Sequence, residues 1–344
     1  MRSHPGAELV QRLASLPPLA MPAETRALRE AIAAAGRGER FLLHARLGGA
    51  RATRLQAGLR LLTLVRTVLA FGSGRPVSTV VCLSPPTGAD PLPAYHNAAA
   101  VLSFLRASGQ EERDDLAVTQ AWGQALPARS DALAGVVTEI DRALAFMTAC
   151  GLDVRAATSS LRHRLYAATE LSSPTTAAAL IRTDARDRNR YATSAHLLWL
   201  APWASERSIR VAAKAANPVG VRLGRTVTPR HLTTLCGQVD PHRSPGRLVL
   251  LVALDTTAAL LGRLCEAVHG AGHAPVWGYV WGGASGGGGD VATLRGTLLR
   301  HGAELGGVAM DLDGRCLERA VGIAAELMER PPRGRSPLRE GSRG

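Results

Sequence analysis

A chain of 344 residues, 46% hydrophobic and 20% charged, has an ordinary globular balance and the length for one large α/β domain or two smaller ones. The net charge of +13 rests almost wholly on arginine, Lys214 being the single lysine. Scattered arginines and a basic tail read as compositional bias, not as the basic stripe or module of a nucleic-acid binder. Cys82, Cys150, Cys236, Cys265 and Cys316 are far apart and form no CxxC pair or Cys/His cluster, which speaks against zinc and for reduced thiols. The N-terminus has no apolar core of signal-peptide length, and no run approaches the roughly 18 apolar residues of a membrane span. A cytoplasmic protein with no membrane or nucleic-acid partner is expected.

Residues 1–38 read as a helical arm: AETRALREAIAAAG carries apolar residues at helical spacing, and Gly36 follows as a stop. Short apolar runs then alternate with helical stretches, at 41–47, 77–83, 161–170, 195–201, 219–224, 247–254, 274–280 and 307–312. These runs are continuous, not alternating, as strands of a parallel sheet buried on both faces should be. Eight strand–helix units over residues 39–330 predict an α/β fold, a (β/α)8 TIM barrel. The long gap after the second run carries the helical patterns YHNAAAVLSFLRASG and ALAGVVTEIDRALAFMTACG, and is read as a helical hairpin inserted at about 92–158. The tail 331–344 is rich in Pro, Gly and Arg without apolar periodicity and is expected to be disordered.

Seven stretches in order extend this reading: PPLAMPAE, TEIDRALAFMTACG, SAHLLW, NPVGVRLGRTVTP, DPHRSPGRLVLL, AGHAPVW and GGVAMDLDG. Together they resemble the class II (plant-type) 3-deoxy-D-arabino-heptulosonate-7-phosphate (DAHP) synthases across roughly residues 17–330. The resemblance implies a (β/α)8 barrel, an oligomer (a homodimer is expected), and a metal-dependent condensation of phosphoenolpyruvate with erythrose 4-phosphate.

The strand ends depart from that pattern. Where the family has its metal-binding cysteine after the first strand, this chain has about Gly48. The anion-binding Arg and Lys after the second strand fall at Cys82 and Ala89, and a Gly-Glu-Arg motif becomes Ala201-Pro202-Trp203. The Lys that binds phosphoenolpyruvate becomes Arg222, the Arg after the sixth strand becomes Ala253, and the metal histidine becomes Gly283 within GYVWGGASG. Asp311 stands conservatively at a metal glutamate. One carboxylate does not hold a divalent transition metal. No metal or other cofactor and no ordinary DAHP synthase activity are therefore expected.

Aromatics are only 4% of the chain, yet Trp203, Tyr279 and Trp281 fall at strand ends where the family has polar groups. They are read as substrate-binding rings that favour a more apolar substrate, with plugs in a dead cavity as the alternative. Asp311, Glu170 and Arg222 are the candidate catalytic residues. Asp255, before Thr-Thr and an apolar helix, is read as a cap or as a further substrate contact. The glycine run 282–290 lacks the Lys of a phosphate loop. His196, at the start of the fourth strand, is expected to be structural, and His44 is left unassigned. The expected function is a metal-independent enzyme of specialised metabolism with a small-molecule substrate; the alternative is a non-catalytic homologue that binds a ligand or partner.

Overall fold

Ten strands run through the described residues: β1 (Phe41–Arg46), β2 (Val77–Cys82), β3 (Tyr166–Glu170), β4 (Ile181–Thr183), β5 (Arg190–Ala192), β6 (Leu197–Leu200), β7 (Val219–Leu223), β8 (Leu248–Ala253), β9 (Val276–Trp281) and β10 (Leu305–Asp311). Eight of them are parallel and close a barrel in the order β1-β10-β9-β8-β7-β6-β3-β2. This is the (β/α)8 architecture read from the apolar runs. The computed structural model describes residues 5–47, 52–83, 88–111, 131–151, 165–253, 256–281, 291–313 and 315–328. Asp255, Gly48, Gly283, the glycine run and the tail all lie outside these residues. The antiparallel pair β4–β5 was not foreseen.

The helices are α1 (Pro5–Ser15), α2 (Pro22–Gly36), α3 (Ala52–Ser73), α4 (Pro91–Glu111), α5 (Asp131–Ala149), α6 (Pro174–Ala179), α7 (Glu206–Lys214), α8 (Pro229–Val239), α9 (Ala258–Gly270), α10 (Val291–Arg300) and α11 (Cys316–Met328). Ser173, Ser205, Thr228 and Thr257 cap α6, α7, α8 and α9, each accepting a bond from a backbone N–H of the first turn. Each cap holds an otherwise orphaned donor and contributes about 1 kcal/mol. Of the helices, α3 has the length and hydropathy of a membrane span at Arg54–Ser73, a stretch the sequence reading passed over. It lies against α11 so closely that a Cβ on Gly72 would run into the backbone of Ala324, and Leu59, Leu62, Val65 and Leu69 are buried in the layer between helices and strands.

Two apolar layers result. The outer one joins strand residues such as Leu43, Leu198, Leu250, Trp277 and Tyr279 to the surrounding helices. The inner one fills the barrel with Leu42, Val80, Ala168, Trp199, Leu251 and Ala309, and α2 adds Leu28, Ile32 and Ala35 from below. A helix laid across the N-terminal end thus closes the bottom of the barrel. The functional end must be the other one, where the strands finish.

Candidate functional site

Period-2 alternation decides which side chains reach the barrel interior. On β1, Leu42, His44 and Arg46 share one face; on β10, Ala309 and Asp311 do. Arg46 and Asp311 are also register partners on adjacent strands. The inward face of β3 ends in Glu170, β6 contributes Trp199, and β7 contributes Gly220 and Arg222. These last residues of each strand converge at the mouth.

Trp199 forms the floor. Its ring lies against β7, where a Cβ on Gly220 would run into it, so glycine at 220 is what lets the indole cross the barrel. His44 meets the ring edge-on with centroids 5.2 Å apart, and the Arg222 guanidinium stacks over it at 5.0 Å. Above the floor is a cavity of about 120 Å³, bordered by His44, Arg46, Cys82, Trp199, Arg222 and Asp311 among others.

The charges at the mouth are paired. Arg222 Nη1 donates to Glu170 Oε1 at 3.3 Å, and Arg46 Nη1 lies 3.6 Å from Asp311 Oδ1. His44 is different. It is 5% exposed, and neither ring nitrogen has a protein partner. Burial, helped by the positive charge of Arg222, drives its pKa down to about 3, so the imidazole is neutral. The Nε of Arg222 is also buried without a partner. Both residues line the cavity, so these atoms can bond a polar group placed in it.

The structure brings together Asp311, Glu170 and Arg222 at one mouth, and adds His44, Trp199 and Arg46. The reading of the aromatics needs correction. Tyr279 shares the outward face of β9 with Trp277 and is fully buried in the outer layer, away from the cavity; burial pushes its phenol pKa well up. Trp203 is 61% exposed beside Gly224 and takes no part in the cavity wall; the loop before it is held by His231, whose Nε2 is 2.6 Å from Pro202 O. Trp281 borders the cavity while packing on the outer layer. Asp255 lies outside the described residues, and the helix that follows is capped by Thr257. Trp199, whose ring faces inward beneath the mouth, was passed over. Its parity, like that of His44, emerges only once the strands are registered in the closed barrel.

A divalent metal does not fit these residues. Among the described residues no three His, Cys, Asp or Glu side chains are grouped to hold one. Asp311, at the position implied for a metal ligand, has the Arg46 guanidinium beside it instead. His196 meets the expectation of a structural role at the opposite end: its Nδ1 accepts from Ala167 N at 2.8 Å, and its Nε2 lies 3.2 Å from Glu24 Oε2.

The chain is similar to known proteins over most of its length. The phospho-2-dehydro-3-deoxyheptonate aldolase of Mycolicibacterium smegmatis is 28% identical over 324 aligned residues, covering 77% of this chain and 68% of that one. The corresponding aldolase of Streptomyces coelicolor is 27% identical, covering 78% and 70%. A probable chloroplastic aldolase from Catharanthus roseus is 30% identical over 149 residues, 40% of this chain and 29% of that one. The model of the class-II DAHP synthetase family matches residues 88–279, from the approach to α4 through most of β9, which includes Glu170, Trp199 and Arg222. With more than half of its length in that match, the chain belongs to the class-II DAHP synthetase family.

Proposed function

We propose that the barrel mouth is the working site of a DAHP synthase relative that has given up the metal-dependent condensation and acts on a small organic acid. The observation that carries this is the pairing of the mouth. Asp311 is answered by Arg46 and Glu170 by Arg222, while His44 and the Nε of Arg222 stay buried without partners around a cavity. A carboxylate or carbonyl oxygen placed there would take hydrogen bonds from Arg222 and from a neutral His44. Fixed donors of this kind stabilise negative charge that develops on oxygen, with no metal required. Arg46 brings a second permanent cation, and Asp311 offsets it when no ligand is bound. The reaction belongs with specialised metabolism on this reading, since the ordinary condensation needs a metal that no group of described side chains would hold.

A second reading is a non-catalytic, ligand-binding homologue. It is favoured by Trp199, which fills the barrel beneath the mouth and leaves room above for only a few heavy atoms.

The test is a pair of assays on the purified chain. Phosphoenolpyruvate and erythrose 4-phosphate with added manganese should yield no heptulosonate at a rate usual for the family. Acetate or pyruvate should bind in ligand-observed NMR, and His44→Leu or Arg222→Gln should weaken that binding at least tenfold. Manganese-dependent heptulosonate formation would sink the proposal.

A further inference from the structure

A second cavity, of about 380 Å³, opens beside the mouth, between the ends of β2 and β3 and helices α4 and α6. Its walls are largely apolar, with Leu83, Ala94, Ala98, Leu171, Ala177 and Leu180, and the hydroxyls of Thr169, Ser172 and Ser194 add polar edges. In a chain with 41 basic residues, no arginine or lysine lines this space among the described residues, and its single charge is Glu170. A phosphorylated sugar would set a dianion beside a carboxylate with no cation to meet it, an arrangement that costs free energy in a half-desolvated site. An uncharged apolar body would gain from burial there.

Glu170 also connects the two cavities. It lines the larger one, and its Oε1 lies 3.3 Å from Nη1 of Arg222, which lines the smaller one. One ion pair therefore joins a residue lining the larger cavity to a residue lining the smaller. We infer that the two cavities are head and tail subsites for one ligand, an organic acid with an uncharged, mostly apolar body. Its carboxylate takes the place of Glu170 as the counter-charge of Arg222, beside His44. Its body enters the larger cavity, which at about 30 Å³ per water has the room of roughly a dozen waters. This rests on the mouth reading above and gives it a substrate class.

Ligand-observed NMR titration of the full chain with the unbranched carboxylates from acetate to octanoate tests it, with erythrose 4-phosphate as the comparison. Affinity should rise roughly three- to fourfold per methylene along the series, the factor that burial of one methylene supplies. Ala98→Phe, which fills the larger cavity from α4, should flatten the series so that octanoate binds no tighter than acetate. Ala177→Phe fills it from α6 and serves if the first variant does not fold. A flat series in the wild type, a rise that neither variant removes, or erythrose 4-phosphate binding tighter than octanoate overturns the tail subsite. Acetate binding with a flat series leaves the mouth reading standing, whereas no binding of any carboxylate overturns both.

Discussion

Two histidines mark the two ends of the barrel, and they are treated in opposite ways. His196, near the bottom, is 1% exposed and fully engaged, with Ala167 N on one nitrogen and Glu24 on the other. Its neighbour Asn217 is equally well served: Oδ1 accepts from Ala192 N, and Nδ2 donates to the carbonyls of Ala192 and Ala195. His44, near the mouth, is almost as deeply buried and has no partner on either nitrogen. A satisfied buried polar group fixes the fold, while an unsatisfied one costs stability that only another use can offset. His196 and Asn217 help to hold the bottom of the barrel together, whereas His44 keeps two ring nitrogens that no protein group takes.

Trp199 separates the two ends, so its removal should have the largest effect. Trp199→Ala deletes a ring that touches His44, Arg222 and Gly220 inside a closed barrel. A buried Trp cut to Ala leaves a cavity that the rigid strands cannot close, at about 3–5 kcal/mol. Denaturant unfolding reads this directly. A loss below about 1 kcal/mol would mean that the barrel does not depend on a filled floor, and the division into two ends would fail.

The contrast sharpens with one substitution made twice. His196→Leu strands the N–H of Ala167 and takes a partner from Glu24, which should cost roughly 1–3 kcal/mol. His44→Leu replaces an unpartnered imidazole with an apolar group of similar size, so stability should change little or rise. The same variant should lose carboxylate binding. Equal destabilisation by the two would show that His44 is engaged in the free protein and that the mouth is as structural as the bottom.

Much of this fold is legible in the sequence, because strands buried on both faces must be apolar at every position and eight such runs stand out. That same uniformity hides the site. In VWGYVW a run with no alternation does not reveal which of Trp277, Gly278, Tyr279 or Val280 points inward. That depends on the register against β8 and β10, which only the closed barrel sets. Tyr279 looked like a site residue because it is a ring near a strand end, and its parity places it in the outer layer. His44 was left unassigned and Trp199 was passed over, and both line the small cavity at the mouth. Glu170, Arg222 and Asp311 were readable because a charged residue at the end of an apolar strand has few places to go other than the mouth. The pair β4–β5 was missed because three residues per strand carry no period.

The last of the expected effects is a pH dependence that separates the two ends by the window in which each acts. His44 has a folded pKa of about 3 against 6.5 when free, because burial disfavours its charged form. Between those values the unfolded chain binds a proton that the folded chain refuses, so stability is full above pH 6.5 and falls as the pH drops. Linkage puts the loss at roughly 2 kcal/mol by pH 5. Glu24 is held down at about 2 from 4.5, chiefly by its hydrogen bond to His196. Its contribution is present above 4.5 and is lost as the pH falls from there toward 2. Wild-type stability should therefore begin to decline near pH 6.5 and steepen below 4.5. His44→Leu should delay the onset to about 4.5, and Glu24→Gln should remove the added steepness below 4.5 while leaving the decline due to His44. Thermal melts at half-unit steps of pH from 7 to 3 distinguish the variants, and a wild-type profile that stays flat between 6.5 and 4.5 would show that His44 takes up a proton as readily in the folded barrel as outside it.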